Sequence, residues 1–374
     1  MQKNTNISAN TNSLLFVILL VFVLFVLKSL LVPLLFAIIL SVSIFPLVQF
    51  FDHRLHFNSI LSTLAALFIF IICICLLFAF IGYQISDIVE KSDTYAIKLE
   101  QVYNRNVSWL ESNLNINTKD VFKSNSNFGK TIKDNFSGIV TFLGASGSLL
   151  GDMILVPIYM FFFLFYRKFF RDFLCKVFAS GQENASLRYL FYKLYKVQRD
   201  YLSGLFTVMA IVGVLNSIGL LILGIENPFF YGFLAALLLL IPYIGILVGS
   251  LIPATIALAT KDSSSYAVAV IGIFVFIQFI EGNFITPKIT GSKVSINALV
   301  AIISIIAFSM LWGTSGMILA LPIVASLKII FDALPHLRPY GFLLSVPEDS
   351  HTNSAARLRL KKWKAHRKAA NKKK

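Results

Sequence analysis

Long apolar runs with short polar breaks make up most of the chain. Residues 1–13 are polar, 14–27 are apolar, Lys28 and Ser29 interrupt, and 30–48 are apolar again. Pro33 and Pro46 bracket that second run. The run 60–83 is long enough to cross a hydrocarbon core of about 30 Å. The pattern then changes. Ile85, Ile88, Val89, Tyr95, Leu99, Val102, Tyr103 and Leu110 recur at helical spacing between charges, which predicts an amphipathic helix. Residues 138–166 read as a further span carrying Asp152 and Pro157. In 167–201, Leu187, Leu190, Phe191, Leu194 and Tyr201 line one helical face. Residues 202–225 form another apolar run that ends at Glu226-Asn227-Pro228. The run 229–260 is broken by Pro242, Gly245, Gly249 and Pro253, and reads as one broken span or a tight hairpin. Residues 266–280 lead into Glu281-Gly282-Asn283, and two last runs, 294–311 and 316–334, flank Trp312-Gly313-Thr314-Ser315.

This pattern predicts an all-α, polytopic integral membrane protein. It has about eight transmembrane helices, some broken or re-entrant, and a small helical extracytoplasmic cap. The expected organisation is a polar N-terminal segment (1–13), N-terminal transmembrane helices (14–83), the amphipathic cap (84–137) and a transmembrane helix (138–166). A basic cytoplasmic connection (167–201), a C-terminal transmembrane core (202–335) and a basic cytoplasmic tail (336–374) follow.

Composition agrees. The chain has 374 residues, 57% of them hydrophobic, with 36 Phe and only 14% charged residues. That argues against a soluble enzyme or a disordered chain. Three cysteines, two of them in an apolar run (Cys73, Cys75), argue against a disulfide framework. The net charge of +15 gives orientation, because its excess sits in two places. Residues 350–374 hold ten Lys/Arg and no acid, and 167–201 hold eight against three acids. Residues 83–137 hold seven of each sign. Lys and Arg accumulate in cytoplasmic loops, which puts 167–201 and both termini in the cytoplasm and 84–137 outside. The basic tail has a lipid-surface reading and a nucleic-acid reading. No folded nucleic-acid motif accompanies it, so the expected partner is the bilayer.

Ionisable groups inside apolar runs cost at least about 2.5 kcal/mol on the insertion scale, so each calls for a partner, a water-filled cavity or a function. Glu281 follows Gln278 by three residues, on one helix face. Gly282 and Asn283 loosen the helix after it, and Pro287 lacks the amide that would continue it. Such a carboxylate beside freed carbonyls can bind Na⁺ or H⁺ or hydrogen-bond a polar solute. It can equally form a plain salt bridge with Lys288. Asp152 reads as an interfacial helix cap or a cation site, and Glu226 as a snorkelling turn residue or a site residue. Lys328 and Asp332 read as a structural i, i+4 pair. Helix-break or gating candidates are Pro242, Gly245, Pro253, Pro287, Gly291, Gly313, Gly316 and Pro322. No phosphate-binding loop, zinc motif or nucleophile elbow appears, so neither catalysis, a metal nor a cofactor is expected.

Three stretches carry a resemblance: Leu239-Leu240-Ile241-Pro242-Tyr243-Ile244-Gly245 with Pro253, the block from Gln278-Phe279-Ile280-Glu281-Gly282-Asn283 through Thr286-Pro287-Lys288 to Gly291, and Trp312-Gly313 through Gly316 to Pro322. Together they resemble the autoinducer-2 exporter family of bacterial inner-membrane permeases over roughly 14–340. The resemblance implies a secondary transporter, a homo-oligomer, exporting a small polar solute such as autoinducer-2 with an ion gradient. Other members look like Na⁺(Li⁺)/H⁺ antiporters, which is the alternative. A third reading is a non-transporting membrane scaffold acting through the basic tail. One departure is Asn297, where members often carry a proline after Lys293-Val294-Ser295-Ile296.

Overall fold

The computed structural model describes residues 3–114, 154–178, 184–241, 244–289 and 296–346. Its regular elements are helices: α1 (Lys3–Val26), α2 (Lys28–Arg54), α3 (Ser59–Glu90), α4 (Ser92–Leu114), α5 (Leu155–Phe165), α6 (Arg167–Phe178) and α7 (Asn184–Ile222). They continue as α8 (Pro228–Leu238), α9 (Ile244–Thr260), α10 (Ser265–Ile280), a π turn (Glu281–Ile285), α11 (Thr286–Ile289), α12 (Ala298–Ala333) and α13 (Arg338–Leu344). Among the described residues, five helices are long and apolar enough to cross a membrane. Asp152, Pro242 and Gly291 lie outside the described residues.

The two largest apolar clusters among the described residues organise the helices. In the first, α2, α3 and α5 pack through Ala37, Val48, Ala66, Leu67, Met160 and Leu164. Pro33 and Pro46 do not break α2, which runs continuously across both. The break falls at Leu27, beside the Lys28-Ser29 interruption of the apolar pattern, between α1 and α2. Lys28 therefore leaves the Leu24 carbonyl free, and the Trp312 indole N–H donates to it at 3.0 Å. A buried carbonyl needs such a donor.

The second core joins α7 to α10 and receives α4. Tyr95 and Leu99 of α4 pack with Leu220, Ile225, Phe230, Tyr231 and Ala257. The amphipathic helix thus exists, but the apolar span before it reaches Glu90, further than the sequence pattern suggested. Lys91 marks the junction and pairs with Asp87 at 2.9 Å. Burial pushes the Tyr95 phenol above its ordinary value, and the nearby Glu226 carboxylate adds to the shift.

The run 229–260 resolves as a hairpin. Its outer ends meet at the α4 end of the bundle, where Gly224 lies beside the Lys261 ammonium. Helix α8 is 11 residues long, about 17 Å, shorter than a hydrocarbon core of about 30 Å. The arms approach closely at small residues: a Cβ on Gly249 would sit 2.7 Å from the Ala235 Cβ. A Cβ on Gly232 would overlap the Ser217 hydroxyl of α7. Small residues at such crossings let helix backbones approach within the bilayer.

A second hairpin lies inside α12. Gly313 has φ 65° and ψ −143°, and the chain reverses there. As one straight helix, α12 would separate Asn297 from Asp332 by about 52 Å. Yet Asn297 bonds the Leu343 and Leu344 carbonyls, at 2.9 and 3.0 Å, while Gly341 of the same short helix packs on Asp332. The two last apolar runs are therefore antiparallel arms with Gly313 at the tip. Their open ends face away from α4. Gln198, in the first half of α7, donates to the Pro322 carbonyl and the Ser326 hydroxyl, both at 2.6 Å, whereas Leu220 near the other end of α7 packs with α4. The two hairpins thus enter the bundle from opposite ends.

Asn297 explains the missing proline. Its side chain accepts from the Val300 amide at 2.9 Å, as an N-cap does, while its own amide donates to Leu343. An N-cap to alanine costs about 1 kcal/mol. Asn297→Ala is therefore expected to lower the thermal unfolding midpoint of the purified protein, and a proline there would lose the Leu344 bond as well.

Candidate functional site

The block 278–289 forms the candidate site. Apolar β-branched and aromatic residues carry α10 to Ile280, with Ala267, Val270, Phe274 and Ile277 buried along one face. At Glu281 the hydrogen-bond spacing widens. The Thr286 amide donates to the Glu281 carbonyl, five residues back, which defines one π turn. Such turns insert an extra residue into a helix and re-aim its side chains. Pro287 contributes by lacking an amide, so one of the carbonyls at Gly282 and Asn283 goes without the bond it would give. The sequence read this stretch as a loosened helix. The backbone instead keeps turning, through the π turn and α11, to Ile289.

The carboxylate of Glu281 is held from both sides. Gln278 Nε2 donates to Oε2 at 2.5 Å, and the Thr286 hydroxyl donates to Oε1. The expected partnership of Gln278 with Glu281 is present. Lys288 is exposed and forms no ion pair with Glu281 among the described residues. Asn283 also turns away: its Nδ2 donates to the Phe279 carbonyl at 2.8 Å, on the exposed side. Thr286 takes the place that the sequence reading gave to Lys288 and Asn283. The carboxylate is thus held by neutral donors, with no paired cation among the described residues.

Behind this pair lies a small pocket of about 10 Å³, enough for roughly one water-sized guest. Four helices converge on it: Asn216 from α7, Leu239 beyond the end of α8, Gly245 at the start of α9, and Phe274 and Gln278 from α10. Gly245 is required here, because a Cβ would overlap the Leu238 carbonyl across the hairpin tip. Asn216 is 3% exposed, and its Oδ1 has no hydrogen-bond partner among the described residues. Since the Gln278 amide turns its N–H groups to a carboxylate, its oxygen is what remains for the cavity. An orphaned buried oxygen costs about 1–3 kcal/mol, which makes this arrangement expensive unless a guest donates to it.

Asn216 was not among the sequence candidates. A signal existed, since it is the sole carboxamide within 202–225. The other candidates are dispersed. Glu226 is exposed in the turn before α8, beside α4. Pro253 is fully buried inside α9. Gly313 and Gly316 shape the α12 tip, and Pro322 accepts the Gln198 bond. Lys328 and Asp332 form the expected structural pair at 2.7 Å.

The chain is similar in sequence to known proteins over most of its length. The family model described as AI-2E family transporter aligns with residues 14–336. YrrI of Bacillus subtilis (strain 168), which carries a provisional transport-protein name, is 27% identical over 327 residues, 82% of this chain and 86% of its own length. YueF of the same organism is 26% identical over 346 residues, covering 86% of this chain and 91% of YueF. MT0215 of Mycobacterium tuberculosis is 23% identical over 329 residues, covering 86% and 87%. Both are named in the same way.

Proposed function

The chain belongs to the AI-2E transporter family, and from that premise we propose that it is a secondary transporter exporting a small polar solute, such as autoinducer-2, coupled to a H⁺ or Na⁺ gradient. The observation that carries this reading is the Glu281 carboxylate, bonded by Gln278 and Thr286 without a paired cation among the described residues, beside the cavity where the α8–α9 tip meets α7 and α10. An ionisable group at such a depth is costly unless it works. A carboxylate bonded by neutral donors can exchange a proton for a cation or a solute hydroxyl without breaking an ion pair. Broken helices at a hairpin tip supply the movable half-site that alternating access needs.

In this reading the protein sits in a bacterial inner membrane as a homo-oligomer. The basic stretches face the cytoplasm, and α4 caps the opposite side. The Na⁺(Li⁺)/H⁺ antiporter alternative uses the same carboxylate and differs in cargo. The test is flux in proteoliposomes holding the wild-type chain, across a panel of polar solutes, with an imposed H⁺ or Na⁺ gradient. Solute flux that collapses with an ionophore supports the exporter. Ion exchange without solute movement supports the antiporter, and no flux of either kind defeats both. Deleting 350–374 is expected to leave this flux unchanged once insertion is matched, whereas a scaffold acting through the tail would lose its cellular phenotype.

A further inference from the structure

A larger cleft lies away from this site, between α2 and the middle of α7. It measures about 710 Å³, within the range of sites that take a small ligand. One end is charged and the other apolar. At the charged end stand Arg199 and Asp200, joined by Arg199 Nη2 and Nε to Asp200 Oδ1 at 3.0 and 3.3 Å. Ser43, Pro46, Ser203 and Thr207 line its middle, the Thr207 hydroxyl being turned back to the Ser203 carbonyl, and Phe206, Ala210 and Ile211 line the apolar end.

The charged end is prearranged. The Arg199 guanidinium lies 5.7 Å from the Tyr195 ring centre, Tyr195 meets Phe45 edge-to-face at 5.7 Å, and Arg167 lies 5.5 Å from Phe45. Arg167 is in turn tied to the Leu164 carbonyl at 2.9 Å and lies 3.9 Å from Asp52. Stacked guanidiniums of this kind suit phosphate. The two aspartates balance the two arginines, so a ligand with excess negative charge gains little here. A ligand carrying one anion and one cation side by side matches Arg199 and Asp200 as they stand. Length then selects the ligand class. Twelve helical residues separate Arg199 from Ile211, about 18 Å, close to half of a hydrocarbon core of about 30 Å. A charged pair at one end and one leaflet's depth of apolar wall at the other fit a lipid, and a soluble zwitterion would leave the apolar part unused.

We propose that this cleft binds one phospholipid with a phosphoethanolamine headgroup, its phosphate on Arg199, its ammonium on Asp200 and an acyl chain along Phe206, Ala210 and Ile211. The ammonium can donate hydrogen bonds to Asp200. A quaternary choline cannot, and a glycerol headgroup brings no cation.

Native mass spectrometry of the full chain, titrated with phosphatidylethanolamine, phosphatidylglycerol or phosphatidylcholine of matched acyl chains, tests this. The wild type is expected to retain one ethanolamine lipid at least about fivefold better than either other lipid, a discrimination of about 1 kcal/mol. Asp200→Asn is expected to equalise ethanolamine and choline lipids while retaining both. Arg199→Ala is expected to lose retention of all three. Should Arg199→Ala fail to fold, Ala210→Trp fills the apolar half without touching the charges and is expected to lose retention too. Equal retention of the three lipids by the wild type would overturn the proposal. So would retention unchanged in Arg199→Ala or in Ala210→Trp.

Discussion

Replacing Asn216 with leucine is expected to make the protein more stable and less active. The two side chains are similar in size, and the position is almost fully buried. The substitution removes an oxygen that has no partner among the described residues, and replacing a buried unsatisfied group by an apolar one of similar shape is neutral to stabilising. A gain of about 1 kcal/mol is expected, since the unfolded chain in a membrane also finds partners for its polar groups. Transport should fall at least tenfold, the equivalent of about 1.4 kcal/mol, because the cavity beside Gln278 loses an acceptor. Thermal unfolding in detergent and flux in proteoliposomes read the two effects separately. A residue that only fills space would lose both or neither. A lower unfolding midpoint with unchanged flux would remove Asn216 from the site.

The second large effect concerns the α12 hairpin. Gly316→Val is expected to abolish accumulation of folded protein. A Cβ at this position would overlap the Phe308 carbonyl oxygen and lie 3.1 Å from the Trp312 Cβ. Both obstacles are close to the backbone, so a rotamer change cannot relieve them. Overpacking of a tight interior commonly costs about 1–3 kcal/mol or more, and here the Trp312 bond to Leu24 is placed at risk too. Gly272→Ala is the control, because a Cβ there meets nothing within 4 Å. Monodisperse protein from size-exclusion chromatography gives the readout. A well-folded Gly316→Val protein would show that the chain does not reverse at Gly313.

Much of this architecture was legible from the chain. Long apolar runs fix where helices lie, because backbone groups in hydrocarbon must bond within their own segment. The amphipathic spacing of Tyr95 and Leu99 announced α4, and Gln278 with Glu281 announced the site at i, i+3. Other features depended on neighbours. Pro33 and Pro46 looked like breaks, yet α2 passes through both, supported by packing against α3 and α5. The break at Leu27 was marked by Lys28 and Ser29, but not its partner: Trp312, far away in sequence, satisfies the carbonyl it frees. Lys288 was a sensible partner for Glu281 by distance along the chain. The π turn rotates the helix after Glu281 and brings Thr286 to the carboxylate instead. Asn216 was hidden for a different reason. A lone carboxamide in an apolar run is usually paired in the core, and only the convergence of α8, α9 and α10 shows that its oxygen has no partner among the described residues.

The central claim is that Glu281 couples an ion gradient to solute movement. The most direct measurement compares wild type with Glu281→Gln in proteoliposomes at equal insertion, under an imposed H⁺ or Na⁺ gradient. Glutamine keeps the shape: its oxygen can accept from Gln278 while its own N–H donates to the Thr286 hydroxyl, so the fold should persist while the titratable charge is lost. The account predicts that gradient-driven solute flux falls at least tenfold, or about 1.4 kcal/mol, with the unfolding midpoint nearly unchanged. Gradient-driven flux in Glu281→Gln equal to that of the wild type would contradict it.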